Sequence, residues 1–172
     1  MPVQYSTFGQ LYFVTSILLI DPGTAPVAGE LPAAAPSLAG ESRPGYTVAV
    51  RALCEFTAKA GDLDLRFTPS PTALEGITGH RTVAARRGPQ YQPEVSLSSV
   101  YHDLTVRGRA DGYDAVLNQL EEIKTYRGDL EAMPDNHRQL HWAQAKVYGW
   151  LICEHLQLPE VNVALVYFNI VS

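Results

Sequence analysis

The sequence predicts an α/β fold in which helices flank a mixed central sheet, in the order helix, three strands, helix, strand. Three observations carry this expectation. Residues 104–113 and 120–126 alternate apolar and polar side chains with the period of two that suits a strand. Residues 136–156 place Leu140, Val147, Leu151 and Ile152 on one helical stripe. The last run, VNVALVYFNIV, is apolar on both faces, as befits a central strand covered on both sides.

Three pieces follow one another along the chain. Residues 1–20 form an apolar segment with Tyr5, Phe8, Tyr12 and Phe13. The run Leu11 to Ile20 is too short to span a bilayer, and no Lys or Arg precedes Arg43, so it reads as a buried strand and not as a signal peptide. Residues 21–45 are dominated by Pro, Ala and Gly and read as a linker. The main domain is expected over residues 46–172. It opens with a helix over Val48 to Ala60, where Val50, Leu53, Cys54 and Ala58 recur at helical spacing and Gly61 is a stop signal. A second helix is expected from Ser70 to Arg87, ended by Gly88-Pro89. Strands over Glu94 to Ser98, Leu104 to Tyr113 and Leu120 to Tyr126 come next. In the second of these, Leu104, Val106, Gly108 and Ala110 share one face, and Thr105, Arg107, Arg109 and Asp111 the other.

The chain has 172 residues, 46% of them hydrophobic and 18% charged, which suffices for one domain with a sizeable core. Its net charge of -5 shows no bulk basic field. The cations are concentrated in the centre, at Arg81, Arg86, Arg87, Arg107, Arg109, Lys124 and Arg127. Two cysteines, Cys54 and Cys153, are too few for a four-thiolate zinc or iron–sulfur site. They read as reduced, buried thiols in a cytoplasmic protein.

The chemistry is concentrated in GRADGYDAVLNQLEEIKTYRG, residues 108–128. Glu122 and Lys124 lie two apart on one strand and therefore share a face. Asp111, near the end of the preceding strand, comes beside them if the two strands form a hairpin. Two carboxylates make a hard oxygen site suited to Mg²⁺ or Mn²⁺, and the Ile123 backbone carbonyl offers a third oxygen. Lys124 adds a cation within reach of a water and a phosphate. Such sets also occur on solvated strand faces, so the triplet alone is a weak signal.

Three elements together resemble the PD-(D/E)XK nucleases, and more closely their RecB-type branch. They are GITGHR at residues 76–81, RADG with EEIKT around Asp111 and Glu122, and HWAQAKVYGWL at residues 141–151. The resemblance covers about residues 46–171 and implies a restriction-endonuclease-like core. It implies metal ligation by His80, Asp111, Glu122 and the Ile123 carbonyl, and water or phosphate activation by Lys124. Gln144 and Tyr148, one helical turn apart, would face the site and order Lys124 or contact DNA. The implied reaction is hydrolysis of phosphodiester bonds in DNA, single-stranded or end-containing, during repair or processing. Similar nuclease domains are fused to DinG- and XPD-like helicases, which implies a helicase partner or fused helicase domain. The cysteine cluster of the iron–sulfur members is missing, and the chain stops directly after the last core strand, where relatives usually continue.

Arg107 and Arg109, on the face of Asp111, and Arg127 are candidates for DNA contact. Arg107 and Arg109 could equally belong to a solvated strand face. His137 and His141 lie four apart, a spacing that can bind zinc, but no third ligand sits at a matching spacing. Glu94 and Asp114 read as structural, with metal assistance as the alternative. The rival expectation for the whole domain is a non-catalytic nucleic-acid-binding module, or an assembly domain of a larger helicase or CRISPR-adaptation complex, that keeps the nuclease fold.

Overall fold

A computed structural model of the chain describes residues 3–7, 10–18, 45–61 and 71–171. Strands β1 (Val3–Thr7) and β2 (Gln10–Leu18) come first. β3 (Tyr46–Ala49) runs directly into helix α1 (Val50–Thr57), and α2 covers Ala73–Ala85. Strands β4 (Tyr91–Tyr101), β5 (Leu104–Asp114) and β6 (Gln119–Tyr126) follow. A 3-10 turn at Leu130–Ala132, helix α3 (Asp135–Leu156) and strand β7 (Glu160–Asn169) complete the order.

The described strands make one seven-stranded sheet, ordered β1-β2-β7-β6-β5-β3, with β4 also paired to β5. β6 and β7 run parallel, as do β3 and β5, while the remaining pairs are antiparallel, so the sheet is mixed. The parallel β6–β7 pair needs a crossover, and α3 supplies it. The mixed α/β architecture read from the sequence is therefore present. β7 is the central covered strand expected, with Val161 and Val163 to Phe168 all buried.

One face of the sheet is covered by α1 and α3, around Val106, Leu120, Leu151, Ile152, Val161 and Val163. Leu130, Met133, Leu165 and Tyr167 continue this layer. The other face is covered by α2, where Val83 meets Ile123, Ala164, Val166 and Phe168. A fully buried aliphatic side chain contributes about 1.5–3 kcal/mol, so this two-sided packing is what holds both helical layers to the sheet. Cys54 and Cys153 are buried free thiols in these helices. Burial pushes the Cys54 thiol up to about 11.

The fold differs from the sequence expectation in three places. β2 pairs antiparallel with β7 along Gln10–Leu18, so the sheet crosses the boundary expected at residue 46 and takes in the N-terminal segment. The expected linker, residues 21–45, lies outside the described residues apart from Gly45. The helix expected over 48–60 is shorter at both ends. Its first residues are drawn into β3, where Val48 pairs with Val106, because strand pairing overrides a weak local helical pattern. It stops at Thr57 with Ala58 as the cap, three residues before Gly61, which does take a left-handed φ of 67°. The second helix starts at Ala73 because Thr72 and Glu75 form a reciprocal capping box there. No helix among the described residues is long and apolar enough to cross a membrane.

Candidate active site

β6 holds two of the expected residues on the α3 face. The Lys124 ammonium lies 2.8 Å from Glu122 Oε1. Ile123 between them points the other way and is 1% exposed, in the α2 core. This is the outcome that period two dictates. Glu122 is buried, and burial raises its carboxyl above the usual range against the opposing pull of Lys124.

α3 delivers the next two. Gln144 Oε1 accepts a hydrogen bond from Lys124 Nζ at 2.6 Å. Tyr148, one turn on, hydrogen-bonds the backbone at Arg109 of β5, and its phenol is raised to about 12 by burial and by Glu122. It can approach β5 so closely because residue 108 is glycine. A Cβ there would stand 2.6 Å from the Tyr148 hydroxyl.

Asp111 joins the group at a break in the ladder. β5 and β6 pair only from Gly112·Glu121 to Asp114·Gln119. At Asp111 the strands part, and its carboxylate takes over the pairing. Oδ2 accepts the Ile123 amide at 2.7 Å, and Oδ1 lies 3.1 Å from His80 Nδ1 on α2. The Asp111 hydrogen bond raises the His80 pKa above its ordinary value, against the effect of burial. The regular alternation expected along β5 also ends here. Gly108 abuts Tyr148 and Val50 on the α1/α3 side, whereas Gly112, four residues on, abuts Tyr91 of the opposite layer. Two residues four apart share a face in a regular strand. The side-chain direction therefore reverses between them, and Glu94, whose register faces Asp111, takes a φ of 56°. A left-handed backbone at a non-glycine residue is a local strain that tends to gather at functional sites.

These residues line one cleft of about 400 Å³: His80, Arg109, Asp111, Glu122, Lys124, Gln144 and Tyr148. Five further side chains on its wall were not singled out for it from the sequence: Arg51, Glu55, His137, Leu140 and His141. Arg51 and Glu55 pair at 2.7 Å on α1, an i,i+4 spacing that was legible but has no chemistry of its own. His137 and His141 do share a face, as their spacing implied. His141 Nδ1, however, lies 2.9 Å from the Tyr167 hydroxyl, and burial lowers its pKa to about 3, so it is a neutral packing residue. Among the described residues no group of three or more His, Cys, Asp or Glu side chains is gathered closely enough to hold an ion.

Two expected DNA contacts fall elsewhere. Arg127 is absent from the cleft wall because its guanidinium pairs with the Glu75 carboxylate at the start of α2. Arg107 is exposed and borders a neighbouring hollow with Ser96, Ser98 and His155. Arg109 does line the cleft, and it pairs with Glu94 at 3.4 Å across two exposed side chains. Asp114 is structural: it is buried and accepts the amides of Val116 and Leu117 in the β5–β6 turn.

No protein-family model and no curated protein matches the chain. Among solved structures, it is similar to the crystal structure of SSO0001, at 23% sequence identity with a TM-score of 0.43. The match covers 77% of this chain, which spans 66% of that one. Likeness at this level assigns no chemistry here.

Proposed function

We propose that the chain is a metal-dependent DNA nuclease with a restriction-endonuclease-like core, of the PD-(D/E)XK type and its RecB-type branch. One observation carries the reading: Lys124 of β6 lies between Glu122 at 2.8 Å and Gln144 of α3 at 2.6 Å. Two motifs that are 20 residues apart meet at a single ammonium group, as a nuclease site needs and a solvated strand face does not.

The donor set suits Mg²⁺ or Mn²⁺. Asp111 and Glu122 supply carboxylate oxygens, the ligands such ions prefer. Mg²⁺ is commonly held by one or two carboxylates and keeps several waters, so a tight cluster of three side chains is not required. The Ile123 N–H points at Asp111. A strand residue's N–H and C=O face the same neighbour, which puts the Ile123 carbonyl on that side too. His80 Nδ1 stands 3.1 Å from the Asp111 carboxylate, so the imidazole sits beside the proposed ion and would reach it as a ligand by a turn of the ring. When bound, the ion would lower the pKa of a water and offset charge on the phosphate.

The protein's own groups have distinct tasks in this reading. Lys124 orients the attacking water and stabilises charge on the phosphoryl oxygens. Gln144 holds Lys124, and Tyr148 fixes α3 against β5 beside them. Arg109 contacts a neighbouring phosphate. The test is cleavage of single-stranded and duplex DNA with Mn²⁺ or Mg²⁺. Loss of cutting in Lys124→Ala with DNA binding retained is expected, and undiminished cutting in both Asp111→Ala and Lys124→Ala would sink the proposal.

A second reading, a DNA-binding module without catalysis, is favoured by one observation: Lys124 already offsets the Glu122 charge. Calorimetric titration with Mn²⁺ separates the two. The nuclease reading requires binding that Glu122→Gln weakens.

A further inference from the structure

A second groove, of about 560 Å³, opens on the α2 side of the sheet. It shares His80, Arg109 and Asp111 with the cleft, so the two hollows adjoin at the candidate site. Its wall is one face of α2, with Gly76, Ile77, His80, Arg81 and Ala84 recurring three and four apart. The opposite wall is β4 at Pro93 and Glu94. Two side chains on this face have no evident structural task. Ile77 is 51% exposed on a helix whose core contact is made by Val83. Arg81 is exposed and makes no hydrogen bond or ion pair among the described residues. Ile77 and Arg81 are one turn apart and therefore side by side.

Single-stranded nucleic acid is held by cations on its phosphates and by apolar side chains against its unpaired bases, and Arg81 beside Ile77 offers one of each. In a duplex the base faces are stacked away from such a platform. We propose that this groove binds nucleotides of one DNA strand next to the phosphate held at Asp111, with Arg81 on a phosphate and Ile77 against a base. The strand runs from the α3 cleft past His80, Arg109 and Asp111, which both hollows share, into the α2 groove. The inference rests on the nuclease reading for its placing of that phosphate. Arg81 is a binding residue and takes no part in the chemistry.

The test measures anisotropy of a labelled oligothymidylate with the full chain in chelator, and scores cutting separately in Mn²⁺. Arg81→Glu should weaken binding about tenfold, and Ile77→Ser about threefold. Arg81→Ala should lower the slope of log affinity against log salt by about 0.7, the value for one phosphate of a single strand. Lys146→Glu is the control, because Lys146 lies by a hollow that shares no residue with the site. Wild-type affinity in Arg81→Glu, equal losses in Arg81→Glu and Lys146→Glu, or equal competition by duplex of the same length each overturns the groove. If the chain cuts DNA while Arg81→Glu binds normally, the groove falls and the nuclease reading stands. If Arg81→Glu loses binding while no variant, nor the wild type, ever cuts, the nuclease reading falls and the groove stands as a DNA site.

Discussion

The Asp111 carboxylate accepts the Ile123 amide at 2.7 Å, at the point where β5 and β6 stop pairing. A side chain thus replaces a ladder bond, and the same carboxylate is steered by His80 at 3.1 Å. The charge proposed to hold a metal is positioned by the sheet itself. Any change at Asp111 acts on both stability and activity, and the two can be separated.

Asp111→Ala leaves the Ile123 amide without its acceptor, at a cost of about 1–3 kcal/mol. Asp111→Asn keeps an oxygen there and should cost less than about 1 kcal/mol, since only the charge assistance goes. Both should abolish DNA cleavage. Urea denaturation gives the first comparison and a cleavage assay the second. Equal stability of the alanine and asparagine variants would show that the bond does not hold the strands.

Much of this was legible in the sequence, and the remainder has identifiable causes. The β6 face follows from period two, so Glu122 and Lys124 could be placed together without a structure. The α3 stripe predicted its span to within one residue, Asp135–Leu156. Asp111 was harder. Its place depends on a reversal of side-chain direction between Gly108 and Gly112, and a break in alternation leaves no trace in a pattern that reads as regular. Arg127 looked like a DNA contact because it follows the site in sequence, but its partner Glu75 lies 52 residues earlier. Pairings at such a distance have no local signal. β3 was hidden for the same reason, since only its pairing with β5 makes it a strand.

The stability profile with pH should carry the mark of His141. Its pKa falls from 6.5 in the open chain to about 3 in the fold, chiefly through burial, with Lys124, His137 and Arg138 adding to the effect. The unfolded chain therefore binds the proton first. The stability tied to the neutral ring is complete above about pH 6.5 and is lost as pH falls towards about 3, by at most about 1.4 kcal/mol per pH unit. His141→Gln can still hydrogen-bond Tyr167 but does not titrate. Thermal melts across this window should show a flatter acid limb in the variant, and superimposable limbs would refute the assignment.

Glu121 is 2% exposed and sits on the α2 face with Arg87 at 3.0 Å and the Tyr91 hydroxyl at 3.2 Å. This group lies in the layer opposite Glu122 and has no part in the proposed chemistry. Arg87→Ala leaves a buried carboxylate without its cation, which costs about 3–5 kcal/mol. Arg87→Ala with Glu121→Gln together should recover part of that loss. Chemical denaturation of the two variants is the measurement. A single variant as stable as the wild type would show that the guanidinium does not stabilise the carboxylate.

Gly108 offers a route from the fold to the site. A Cβ at this position would stand 2.6 Å from the Tyr148 hydroxyl and 3.0 Å from Val50 Cγ2. Both neighbours lie in a packed layer, so the strain of Gly108→Ala should cost about 1–3 kcal/mol. The tyrosine is the side chain with room to yield, and when it moves it releases the backbone at Arg109 and unsettles Gln144 one turn before it. Cleavage is expected to fall about 100-fold, because small displacements of positioning groups cost about that much. Tyr148→Leu removes the hydroxyl that the methyl would meet. In that background Gly108→Ala should therefore change the rate little further, so the two substitutions together should cost far less than the product of their separate effects. Multiplicative losses would show that the glycine serves the strand and not the tyrosine.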